Sequence, residues 1–187
     1  MRTAYLAAVC LMLAALPASA EQEKLKIVGD ETEIVVQTED GPVAITRVMT
    51  GCAKNKGWLQ PLVPAAGINP VTEIEVLDAL RDPAYVVVDM RTIEWRVKGT
   101  IPGSIHIPYT EVATRLDELG CTKDGNKFKC DNPKKVVGFC NGPVCPQSPM
   151  AMKAMIREGF PAGHIYYYRG GMHDWDSLGL TSLEGMM

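Results

Sequence analysis

The sequence predicts an α/β fold built on a mainly parallel sheet, and three observations carry that expectation. Two short apolar runs, "YVVVDMR" (85–91) and "KKVVGFC" (134–140), read as strands buried on both faces. Segments with helix-capping signals lie between and beside them. Strands that alternate with helices need crossover connections, and crossovers make parallel neighbours.

The elements follow in order. Residues 24–48 alternate in the strand manner around two polar turns, Gly29-Asp30 and Glu39-Asp40-Gly41, and read as a small antiparallel unit of two or three strands. Residues 50–70 contain Gly and Pro without a period and read as a connecting segment, with Trp58 and Leu59 covering part of the main domain. Thr72 and Glu75 form a capping box before Ile74, Val76, Leu77 and Leu80, an amphipathic helix ending near Asp82-Pro83. Strand 85–91 comes next, then a short helix from Thr92 and a second short strand within "GTIPGSIHIP" (99–108). Thr110 caps a helix over 111–119, and a hairpin around Asp124-Gly125 precedes the strand that ends at Cys140. Ser148 as N-cap and Pro149 at the first helical position start a helix reaching about Glu158. "HIYYYRGG" reads as the last strand and "MHDWDSLG" as the last helix.

The N-terminus carries an export pattern. Arg2 precedes a short apolar run, Ala4 to Leu16, and Ala18-Ser19-Ala20 stands before Glu21, so residues 1–20 read as a signal peptide cleaved near Ala20. That run is too short to span a bilayer, and no other segment is apolar enough, so no membrane span is expected. Cys10 follows the bulky Val9, which argues against lipidation. The expected location is the periplasm or the exterior. The expected organisation is 1–20 signal peptide, 21–70 β-rich extension with its connecting segment, and 71–187 main domain. The full chain has 19 cations against 22 anions, for a formal charge of −3. An acidic balance argues against nucleic acid as a partner, and any anionic ligand must be held locally.

Five cysteines follow the leader: Cys52, Cys121, Cys130, Cys140 and Cys145. In an oxidising compartment pairing is the default. Cys121 and Cys130 flank the polar stretch "TKDGNKFK" and read as a disulfide that staples a hairpin. Cys52 has no role that the sequence assigns.

"FCNGPVCPQSPMA" (139–151) is the chemical centre of the chain. Cys140 stands at the carboxyl end of a buried strand, where ligands bind in open α/β sheets. The loop N–H groups of Asn141, Gly142, Val144, Cys145 and Gln147, together with the following helix N-terminus, can stabilise an anion at their centre. The same field raises the thiolate fraction of Cys140. Pro143 and Pro146 contribute no N–H, and His106, His164 and His173 stand in no triad-like relation to the thiol. Three readings of Cys140 stay open at this point: a nucleophile, half of a Cys140–Cys145 disulfide, or packing. Cys-x4-Cys without a nearby His lacks zinc spacing, so no metal and no cofactor are expected. Met150, Met152 and Met155 have a helical spacing that points to core or pocket lining rather than copper ligation.

The chain from about 72 to 182 resembles a rhodanese (thiosulfate sulfurtransferase) domain, of an exported single-domain type with a C-N-G-P-x-C loop. The motifs are "VVVDMRTIEW", "GTIPGSIHIP", "VVGFCNG" before a helix ending in "EGF", and "YYYRGGMHDWDSLGL". The resemblance implies an open parallel five-stranded sheet with helices on both faces. It implies a Cys140 persulfide, loaded by a small sulfur anion donor and relieved by a thiol or protein acceptor. It implies a substrate loop running from Asn141 through Gly142, Pro143, Val144, Cys145 and Gln147 to Ser148, a supporting role for Asp89 and Arg91, and Arg169 near the pocket mouth. The loop departs from the family in having no Arg or Lys, and position 146 is Pro where the related phosphatases need Arg. Cys145, if it resolves the Cys140 persulfide, makes the protein a thiol-redox carrier instead. A non-catalytic binding module, docking a protein through residues 21–70, is the third reading.

Overall fold

The computed structural model describes residues 23–27, 29–38, 41–48, 57–125 and 127–185. The leader, Cys10, Cys52 and the Glu39-Asp40 turn lie outside the described residues. The elements are β1 (Lys24–Leu25), β2 (Glu33–Thr38), β3 (Gly41–Val48), β4 (Asn69–Val71), α1 (Glu73–Ala79), β5 (Tyr85–Asp89), α2 (Ile93–Arg96) and β6 (Ile105–His106). They continue with β7 (Thr122–Asp124), β8 (Lys127–Lys129), β9 (Lys135–Phe139), α3 (Gln147–Arg157), β10 (Ile165–Tyr168) and α4 (Gly171–Ser177).

Five strands form the parallel sheet in the order β4-β10-β9-β5-β6. Strand period decides what each face carries. Val87, Val137, Phe139 and Tyr168 point to one side, against Val76 and Ala79 of α1 and Met172 and Trp175 of α4. Val88, Val136, Ile165 and Tyr167 point to the other, against Ala151, Met152 and Met155 of α3 and the aliphatic cluster of Val112, Leu116 and Leu119. The central strand β9 is therefore covered on both faces, as its apolar run requires. Gly138 is a packing glycine: a Cβ there would stand 2.6 Å from Met90 Cε and 2.7 Å from Met152 Cε.

The antiparallel sheet β1-β3-β2 precedes this domain, and the β7–β8 hairpin projects from it. Cys121 and Cys130 are paired across the base of that hairpin, with Cα atoms 4.4 Å apart.

Three sequence expectations need correction. The connecting segment contains β4, which pairs in parallel with β10 at the sheet edge. Three residues are too few to show a period, so only the neighbouring strand reveals it. The 111–119 helix is two 3₁₀ turns, Val112–Thr114 and Leu116–Leu119, closed by Gly120 in the left-handed region (φ 90°). Three-residue turns suffice to bury Val112, Leu116 and Leu119 over the sheet. The helix after the cysteine loop starts at Gln147, with Pro146 rather than Ser148 at the N-cap. Pro149 then occupies the first turn, where its missing N–H has no intrahelical partner to lose. Met152 and Met155 are core, while Met150 on the same helix is exposed, which is the packing reading of that spacing.

The capping box at α1 has formed: the Glu75 carboxylate accepts from the Thr72 N–H and hydroxyl, each at 2.8 Å. Those bonds hold Glu75 below its ordinary carboxylate value.

Burial sets a pH limit on the domain. Burial pushes the Tyr167 phenol up from 10.0 to about 12. Burial, with the Tyr168 hydroxyl donating to Glu73 at 2.8 Å, raises Tyr168 as well. Both groups are neutral when folded and ionise more readily when unfolded. Their contribution is thus complete below about pH 10 and is lost as pH rises toward 12. Chemical denaturation midpoints measured between pH 8 and 11.5 are expected to fall at the alkaline end, less so in Tyr167→Phe.

Candidate functional site

Cys140 follows β9 directly, so the most buried strand of the sheet aims it at the end where the crossover loops gather. Neighbouring segments clamp its backbone. The Cys140 carbonyl accepts from Met172 N–H at 3.1 Å, and the Asn141 carbonyl accepts from His173 N–H at 2.9 Å. That close approach depends on Gly171, which has φ 56° and whose absent Cβ would collide with the Cys140 carbonyl oxygen. Gly142 is equally constrained, because a Cβ would stand 2.6 Å from His173 Nδ1.

Asp89 and Arg91 reach the loop from the end of β5. Arg91 donates to both Asp89 oxygens, at 2.9 and 2.7 Å, to the Gly99 carbonyl at 2.6 Å and to Asn141 Oδ1 at 3.0 Å. Asp89 also accepts from Thr100 Oγ1 at 2.7 Å and lies 3.7 Å from Arg96 Nη1. Asp89, Arg91 and Arg96 are all buried, so this is a desolvated ion cluster, and it holds the Asn141 side chain through Arg91. Burial draws Arg96 below the usual guanidinium value.

The loop folds back so that Cys145 meets Cys140. The two sulfurs are paired at disulfide distance, with Cα atoms 6.1 Å apart. The Gln147 side-chain oxygen lies 3.8 Å from one sulfur and 3.9 Å from the other. Both cysteines are only 2 % exposed, so the pair is closed to solvent. One loop amide is not free to face an anion: Cys145 N–H donates to the Gly142 carbonyl at 2.9 Å, closing a turn. Val144 is buried, and Pro143 partly so. Ser148 lies inside the first turn of α3, with its hydroxyl buried and without a hydrogen-bond partner among the described residues.

The cover over this loop comes from the connecting segment. Gln60 N–H donates to the Pro143 carbonyl at 2.7 Å, and the Gln60 carbonyl accepts from Arg169 Nε at 2.7 Å. Gln60 is buried although its neighbours Trp58, Leu59 and Leu62 are exposed. Residues 57–62 form a strap across the Cys140 loop.

Residues 72–178 match the family described as Rhodanese-like domain. The chain belongs to this family. The rhodanese-like domain is 30% identical over 115 residues to HTH-type transcriptional regulator Rv0324 of Mycobacterium tuberculosis, covering 62% of this chain and 45% of the regulator. It is 28% identical over 118 residues to arsenate reductase 2.2 of Oryza sativa subsp. japonica, covering 62% of this chain and 87% of the reductase. The chain thus spans under half of the first relative and most of the second. Among solved structures, it is similar to a thiosulfate sulfurtransferase from Pseudomonas aeruginosa, with 23% identity, TM-score 0.47, and coverage of 62% of this chain and 19% of that one.

Sequence reasoning missed Gln60, Gly171 and the N–H groups of Met172 and His173. "RGG" before the final helix was the available signal for the last three. Gln60 had none, because a strap held by backbone atoms leaves no side-chain pattern.

Proposed function

We propose that this rhodanese-like protein is a sulfurtransferase that carries sulfane sulfur as a Cys140 persulfide. The observation that supports it best is Cys140 at the carboxyl end of β9, its own and the next carbonyl tied down by Met172 and His173. In the reduced protein the Cys140 thiolate attacks the outer sulfur of thiosulfate. A Cys140–sulfur bond forms, the donor S–S bond breaks, and its electron pair leaves on sulfite. Polysulfide or a protein persulfide donates in the same way. A thiophilic acceptor then takes the outer sulfur and returns the Cys140 thiolate. The N-terminus of α3 and the remaining loop amides favour the anionic persulfide.

The Cys140–Cys145 pairing favours a second reading, a thiol-redox cycle. The Cys145 thiolate attacks the Cys140 sulfur of the persulfide, hydrosulfide leaves, and a disulfide remains. An external dithiol must reduce that disulfide by two electrons before the next turnover. The residue 1–20 pattern and the Cys121–Cys130 pair support an exported protein, and exposed Trp58 and Leu59 beside the site support acceptor docking through the 21–70 segment.

Intact mass after incubation of reduced protein with thiosulfate or polysulfide separates these readings. Wild type and Cys145→Ser are expected to gain one sulfur, and Cys140→Ser none. Sulfur gained by Cys140→Ser rejects the proposal. A persulfide that is stable only in Cys145→Ser favours the redox cycle. No sulfur uptake and no disulfide cycling would leave a binding module.

A further inference from the structure

We propose that Arg169 is the anion-binding residue of the sulfur-donor site and that Gln60 occupies it in the closed form. The inference rests on the sulfur-transfer reading of Cys140. Strand register locates Arg169. β10 pairs with β9 so that Tyr167 stands beside Gly138 and Tyr168 beside Phe139. Arg169 and Cys140 are the residues that directly follow these two strands, and adjacent strands lie about 4.8 Å apart.

The guanidinium is half-engaged. Its Nε donates to the Gln60 carbonyl at 2.7 Å, and its two terminal nitrogens have no partner among the described residues. Arg91 and Arg96, by contrast, are committed to Asp89 and its surroundings. A guanidinium edge presents parallel N–H groups that match an oxyanion. A dianionic donor approaching a thiolate needs local positive charge, and the acidic chain supplies none globally. The cysteine loop itself carries no cation. Arg169 is the cation that the sheet brings level with Cys140.

Gln60 explains why the site is closed. Its carbonyl is a neutral oxygen on Nε, in the position of a donor oxyanion, and its N–H holds the loop at Pro143. An incoming anion exchanges for that carbonyl and releases the strap. Donors with charged oxygens are therefore selected over neutral ones.

Calorimetric titration of thiosulfate into the full chain carrying Cys140→Ser/Cys145→Ser reads binding without reaction. Adding Arg169→Gln is expected to raise Kd at least tenfold, and Arg169→Lys to raise it less, because charge remains without the fork. Gln60→Pro removes one N–H donor and is expected to lower Kd by about 5-fold, the worth of one hydrogen bond. Circular dichroism checks that each variant is folded, and Arg169→Lys and Gln60→Pro serve if Arg169→Gln is not. An unchanged Kd in Arg169→Gln, or no thiosulfate binding by the double-serine protein, overturns the anion site. An unchanged or higher Kd in Gln60→Pro overturns the competition. Binding through Arg169 together with no sulfur uptake by wild type would sink the sulfur-transfer reading and leave the anion site standing.

Discussion

Arg91→Ala is expected to destabilise the protein by about 3–5 kcal/mol, because it leaves the buried Asp89 carboxylate short of its main partner. Asp89 and Arg91 have side chains 0% and 3% exposed, so solvent cannot replace the lost bonds. Arg96 at 3.7 Å and Thr100 at 2.7 Å compensate only in part. Denaturant unfolding reads the loss directly. Asp89→Asn combined with Arg91→Ala removes the uncompensated charge and is expected to recover a measurable part of it. If the double variant is no more stable than Arg91→Ala, the charge account is wrong and lost packing is the cause. Sulfur loading is expected to fall as well, since Asn141 loses the donor that fixes its side chain.

Gly171→Ala should act more on the chemistry. The residue has φ 56°, where an alanine costs about 1–2 kcal/mol. The added Cβ also collides with the Cys140 carbonyl and would stand 2.9 Å from Gly142 N, both of them backbone that cannot rotate away. Either β9 or the start of α4 must shift, and a displacement of about 1 Å at a reacting group costs roughly 100-fold in rate. Gly29→Ala is the control: its φ is also 56°, but no atom lies within 4 Å of its Cβ position. Stopped-time mass measurements of sulfur loading are expected to show a roughly 100-fold decrease for Gly171→Ala and no change for Gly29→Ala. Equal rates in the two variants would show that the clamp on Cys140 does not matter.

The sequence made the strands and the strand-end position of Cys140 legible because their signals are local. Val86 to Val88 and Val136 to Val137 form unbroken apolar runs that only a sheet covered on both sides accommodates. A cysteine at the end of such a run, before a helix, points to one end of the sheet without any coordinates. The Thr72–Glu75 box is equally local, three residues apart. Readings failed where the determining contact was distant. Asn69–Val71 is a strand only because β10 lies beside it. Val112–Leu119 has helical spacing, yet settles as two 3₁₀ turns between the end of β6 and Gly120.

The candidate site divides along the same line. Cys140, its strand-end position and the absence of a loop cation were determined by the sequence alone, because residue types and strand period need no partner to be read. The meeting of the two sulfurs, the bond from Arg91 to Asn141 and the strap from Gln60 to Arg169 were decided only by the tertiary structure. The last two join atoms from separate segments, 50 residues apart for Arg91 and Asn141 and 109 for Arg169 and Gln60, and every strap and clamp contact involves backbone atoms that any sequence possesses.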